Sequence, residues 1–108
     1  MVVSDLLMRF EERMGGYLTE EEKLSHLLEF EATETENYFL KLDENSSLSI
    51  PDAFSNLYFL YLKLKAQAKA KEMINYANTS MEFLSLYSDY KRGKMRRAGV
   101  QRQDIKYY

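Results

Sequence analysis

The sequence predicts an all-α protein: an elongated antiparallel hairpin or bundle of three to four helices, ending in a basic C-terminal tail. Three observations predict it. One Pro and four Gly punctuate 108 residues, so little in the chain breaks a helix. Over most of the length, apolar residues recur at three- and four-residue spacing. Short polar stretches separate these periodic segments, which makes successive helices neighbours. The division expected is a helical domain over residues 1–90 and a tail over residues 91–108.

The first helix is read from Ser4 to Met14. Val3, Leu6, Leu7, Phe10 and Met14 share one side, Arg9, Glu12 and Arg13 the other, and Gly15-Gly16 stops it. Ser4 is the expected N-cap. Thr19-Glu20-Glu21-Glu22 is a capping box: the Thr hydroxyl accepts from the amide three residues on, and Glu22 reaches back. Three acids in one first turn also suit the positive end of the helix dipole. Leu24, Leu27, Leu28, Ala32, Thr35, Tyr38, Phe39 and Leu42 fall in one stripe, so the second helix is expected from Glu20 to about Asp43, roughly 36 Å.

Ser49-Ile50-Pro51-Asp52 marks a further start, with Ser as cap and Pro in the first turn. From Leu62 to Lys71 polar and apolar residues alternate strictly, which by period alone is a strand. Composition decides otherwise: Leu, Lys, Ala and Gln are strong helix formers, and no β-branched residue stands between Pro51 and Met73. As a helix this segment carries two apolar stripes. Phe59, Leu62, Ala66, Ala70, Met73 and Ala77 form one; Phe54, Leu57, Tyr61, Leu64 and Ala68 form the other. Leu57 to Leu62 is apolar all round, and such a helix needs cover on more than one side. Two continuations stay open. Asn78-Thr79-Ser80 can break the helix, with Thr79 and Glu82 as a third capping box, or one helix of about 60 Å runs past Tyr90.

Composition excludes several functions. No Cys means no disulfide scaffold, no thiolate zinc site and no thiol chemistry; a single His rules out any site needing two imidazoles. No apolar run approaches the roughly 20 residues of a membrane span, and the N-terminus lacks a signal-peptide core, so a cytoplasmic protein is expected. His26 has Glu22 and Glu29 at i−4 and i+3, a spacing for one divalent ion, but a helical di-metal site needs a second such set. The carboxylate pairs at Glu11-Glu12, Glu20 to Glu22 and Glu29 to Glu36 suit magnesium chemistry only where facing helices add more acids. Here the other long helix offers only Glu72 and Glu82. The reading is therefore a non-enzyme with no cofactor, no metal and no small-molecule substrate. Glu31 interrupts an apolar stripe and either pairs with a Lys of the next helix or marks a register-setting polar contact.

What remains are two partner signals. The net charge of −2 is segregated: residues 1–48 hold 12 acids against 4 bases, residues 49–90 hold 4 of each, and residues 91–108 hold 7 bases against Asp104. Lys91, Arg92, Lys94, Arg96, Arg97, Arg102 and Lys106 are the candidate contacts to nucleic-acid phosphates or to an acidic partner. No signature of sequence-specific readout accompanies them. The second signal is the doubly apolar helix, too greasy for one short chain to shield. Phe54, Leu57, Tyr58, Tyr61, Leu64 and Ala68 are its candidate interface, in a homo-oligomer or a larger assembly. The function expected is a helical interaction or assembly protein. The alternative is a protein-binding inhibitor or immunity-type factor acting through the acidic N-terminal half.

Overall fold

The computed structural model describes the backbone of residues 1–106 and the side chains of residues 1–94. Four α-helices succeed one another: α1 (Val3–Met14), α2 (Glu20–Thr35), α3 (Asn56–Lys69) and α4 (Met73–Lys106), with a 3-10 turn at Asp52–Phe54 ahead of α3. The described residues contain no strand, only one isolated bridge between Val2 and Ser47.

α1 starts one residue before the expected Ser4 cap, because a distant loop caps it instead. The Val3 and Ser4 amides donate to the carbonyls of Ser46 and Glu44, at 2.9 and 3.0 Å, filling two of the orphan donors of a first turn. Val3, Leu6, Leu7 and Phe10 are its buried face. After it Gly16 adopts φ 89°, a conformation that favours glycine.

α2 opens with the capping box read from Thr19 and Glu22, both halves of which are made. It does not reach Asp43. It ends at Thr35, where Glu36 turns left-handed at φ 55°. The Asn37 amide then returns to the Ala32 carbonyl and the Glu36 amide to Thr33, which together make a Schellman cap. Thr33 and Thr35 prepare the stop: each hydroxyl bonds back to the carbonyl four residues earlier, at 2.9 and 2.8 Å, a habit that weakens a helix. The predicted stripe is also rotated. Lys23, Leu27, Phe30, Glu31 and Ala32 are buried, while Tyr38 and Phe39 lie in the loop after the helix, Phe39 93% exposed.

Ser49 does not cap a helix either. Its amide donates to the Glu31 carboxylate and that of Ile50 to the Tyr58 hydroxyl, and α3 begins only at Asn56. The largest correction concerns the end of α3. The chain neither breaks at Asn78-Thr79-Ser80 nor runs on unbroken from Pro51. It breaks at Ala70–Glu72, where Lys71 takes φ 60° and the Lys71 and Glu72 amides return to the carbonyls of Ala68 and Gln67. This is the same Schellman geometry as at Glu36. Asn78, Thr79 and Ser80 are ordinary helical residues of α4, with Thr79 buried.

The tight turn folds α4 back along α3, so that Phe83 meets Tyr61 and Tyr90 meets Phe54 in antiparallel register. α1, α2 and α4 all pack on α3, which is the central helix. Leu57, Tyr58, Leu62 and Ala66 on it are wholly buried. The radius of gyration is 15.8 Å, above the roughly 13 Å of a compact domain this size. The 34 residues of α4, about 50 Å of helix, account for the longest dimension of 55 Å. No helix among the described residues is long and apolar enough to cross a membrane.

Candidate partner interface

The core holds a buried carboxylate. Glu31 on α2 is buried and accepts two hydrogen bonds of 2.6 Å, from the Ser49 amide and from the Tyr58 hydroxyl. That hydroxyl in turn accepts from the Ile50 amide at 2.8 Å. No Lys is involved, so Glu31 is the polar contact rather than the interhelix ion pair. It ties α2 and α3 to the connection between them. Burial, then the bond to Glu31, drives the Tyr58 pKa well above the usual phenol range.

Around this point α2 lays a row of carboxylates against α3 and α4. Glu22 meets Lys69 at 2.7 Å; Glu29 accepts from the Tyr61 hydroxyl, with Lys65 at 3.5 Å. Glu34, whose side chain is buried, accepts from the Tyr87 hydroxyl at 2.6 Å, with Lys91 at 3.4 Å. The lysines also stand over rings: Lys65 lies 5.2 Å from the centroid of Tyr61, and Lys91 lies 5.1 Å from that of Tyr87. Beneath them Phe30 stacks on Tyr61 at 4.6 Å and Phe83 on Tyr87 at 5.5 Å. The Lys69 bond, with the Thr19 amide behind it, lowers the Glu22 carboxyl to about 2. For Lys91, burial pulls the ammonium pKa down, but its contacts with Tyr87 and Glu34 outweigh that and leave it raised.

This row decides the fate of several candidate residues. Glu22 and Glu29 hold cations and a phenol of their own chain. Among the described residues no three His, Cys, Asp or Glu side chains are grouped to hold a metal ion. Of the candidate interface residues, Leu57 and Tyr58 are fully buried in the chain's own core, so neither presents a surface to a partner. Phe54, Tyr61 and Leu64 are half-buried, Phe54 and Tyr61 within the aromatic cluster, and Ala68 is exposed. Much of the cover that α3 was expected to need from a partner is supplied by three helices of the same chain. Of the basic residues, Lys91 bonds Glu34, Arg92 meets Asp89 at 3.2 Å, and Lys94 lies 5.8 Å from the Tyr90 ring centroid. The side chains of Arg96, Arg97, Arg102 and Lys106 lie outside the described residues.

Beside the isolated Met8 and the loop residues Tyr38 and Phe39, a run of uncovered apolar side chains lies along α4. Met73, Ile74, Met81 and Leu84 are 60%, 80%, 72% and 62% exposed, and Ala77 between them is exposed too. Tyr76, Thr79, Phe83, Leu86 and Tyr90 make the inward side of this helix. At 3.6 residues per turn the exposed group lies on the opposite side. Sequence reading assigned Met73 and Ala77 to a stripe shared with α3. The signal that separates the two sides is the spacing Ile74, Ala77, Met81, Leu84, which alternates three and four, and which becomes visible once α4 is known to start at Met73.

A second feature lies across the molecule, between α1 and α2. Lys23 is buried, with Glu11 at 2.9 Å and Glu20 at 2.7 Å. Burial lowers its pKa, but those two carboxylates outweigh the effect and leave it raised. Beside it opens a cleft of about 400 Å³ lined by Met8, Glu11, Glu12, Glu20 and Glu44 among others.

The described residues thus form an all-helical protein with a bare apolar face on its last helix. Comparison with protein families, with characterised proteins and with solved structures finds no match.

Proposed function

We propose that this chain is a non-enzymatic helical interaction protein whose working element is α4, and that the basic stretch of α4 contacts nucleic-acid phosphates without reading sequence. The observation that carries the reading is the bare outer face of α4, four large apolar side chains in a row with no cover from their own chain. Exposed apolar patches of several hundred Å² mark interaction sites. The same helix continues to Lys106 through the segment that holds seven bases against one acid. Among the bases of that segment with described side chains, Lys91 alone bonds an acid of residues 1–48. The basic stretch is therefore not neutralised at Arg92 or Lys94 by the acidic half of the molecule.

The test is a titration of generic single- and double-stranded DNA and RNA at several salt concentrations. The variant replaces Arg92, Lys94, Arg96, Arg97, Arg102 and Lys106 by Gln and keeps Lys91. Wild type is expected to bind with affinity that falls steeply with salt, each neutralised phosphate adding about −0.9 to the logarithmic slope on duplex DNA. The variant is expected to lose most of that slope. Equal binding and equal slope in the two proteins would defeat the reading.

One observation favours a second reading, a protein-binding inhibitor acting through the acidic half. The cleft between α1 and α2 sets Glu12, Glu20 and Glu44 around the exposed Met8, an apolar spot with an acidic border that suits a basic protein surface. Lysine at Glu12 and Glu44 would abolish such an inhibitor's binding and leave phosphate binding no weaker.

A further inference from the structure

We infer that the bare face of α4 is a self-association surface on which two copies of this chain pair in antiparallel register. The inference rests on the reading of α4 as the interacting element and names its occupant. Ile74, Ala77, Met81 and Leu84 keep the three-four spacing of a coiled-coil seam. Two such seams that run in opposite directions about a midpoint near residue 79 set Ile74 of one copy against Leu84 of the other, and Ala77 against Met81. The two central layers then match the small Ala77 with the long Met81. A parallel pair would stack Ala77 on Ala77 and leave a thin layer at the centre of the contact. The antiparallel arrangement is a closed two-fold contact and cannot propagate into a filament.

The borders of the seam permit the approach. Asn78 and Ser85 flank it on one side, Met73 and Ser80 on the other, and none of these carries a charge. Two copies therefore meet with no like-charge repulsion along the contact. The size also fits a second copy. At the observed exposures the seam presents on the order of 500 Å², so a pair removes about 1,000 Å² from water, the lower limit of a specific interface. A groove of about 470 Å³ between α3 and α4 opens beside Met81 and Ser85; Glu82 and Asp89 line it too, so it lies outside the uncharged seam. An interface at this lower limit makes a weak dimer.

Sedimentation velocity of the full chain from about 1 to 500 µM tests this. Wild type is expected to pass from monomer to dimer across that range. Leu84→Glu and Ile74→Lys, each at an exposed position, are expected to weaken association more than tenfold, with far-UV circular dichroism unchanged. The double variant Ile74→Lys, Leu84→Glu is expected to recover it, because the antiparallel register brings the two new charges together across the interface. A wild type that stays monomeric throughout overturns the inference, as does a dimer indifferent to Leu84→Glu. A double variant as weak as the single ones overturns the antiparallel register, since a parallel pair sets like charges together. If the single variants unfold, the wild-type concentration series decides alone. Phosphate binding is read in the separate salt titration, so loss of self-association and loss of that activity are distinguishable.

Discussion

α3 and α4 are consecutive helices packed on each other, and water meets them in opposite ways. α3 is apolar on nearly every side and little of that surface is exposed, because α1, α2 and α4 surround it. α4 is more polar overall, yet it leaves Ile74, Met81 and Leu84 in the open. A helix that is greasy all round points to a central position, which the same chain can supply. A helix with a second apolar face opposite its packed face points outward. The bare apolar face therefore sits on the less hydrophobic of the two helices.

The contrast breaks most readily by truncation. Leu62→Ala, in a fully buried site on α3, is expected to cost about 3 kcal/mol by urea or thermal unfolding. Leu84→Ala on α4 makes the same chemical change and is expected to cost no more than about 0.5 kcal/mol in the monomer. Equal losses would mean that α4 is covered after all. Next in size is Tyr58→Phe. It strips a buried carboxylate of one donor and leaves the Ile50 amide without an acceptor, a loss of about 2–3 kcal/mol.

Lys71→Gly sharpens the comparison at the joint between the two helices. A lysine at φ 60° is strained where glycine is not, so this variant is expected to gain about 0.5–1 kcal/mol. A gain there would confirm that α3 and α4 are two helices and not one rod. The smallest effect is electrostatic. The folded pKa of Glu22, about 2, lies below its ordinary 4.5. Its stabilising contribution is therefore present above pH 4.5 and is lost as pH falls toward 2. Lys69→Met removes the main cause. Its melting temperature is expected to fall less steeply than that of wild type between pH 5 and pH 2. Parallel acid limbs for the two proteins would show that the contact adds nothing measurable at this exposed site.

The helical class was legible because it rests on composition and on punctuation, neither of which depends on tertiary contacts. The Thr19–Glu22 capping box was legible for a similar reason, since four adjacent residues make it. The two stops at Glu36 and Lys71 were not. Both are left-handed caps built on residues with side chains, where the usual sign of such a cap is Gly or Asn. Missing them lengthened α2 by eight residues, fused α3 to the start of α4, and made two separate helices look like one rod in need of company. Glu31 was legible as an anomaly, but its partners are a backbone amide and a phenol, 18 and 27 residues away. The bare face of α4 was hidden by the same fusion, for its periodicity can be counted only from the true start of the helix.

The most direct test of the contrast uses the absence of cysteine from this chain. Ala66→Cys on α3 and Ala77→Cys on α4 each introduce one thiol of modest size, the first fully buried and the second exposed. Their rates of reaction with a small thiol reagent are compared at low and high protein concentration. The thiol at position 77 is expected to react at the rate of a free thiol in dilute solution and to slow as the protein is concentrated, while that at 66 reacts only on unfolding. Comparable rates at the two positions in dilute solution, or a rate at 77 indifferent to concentration, would contradict the account.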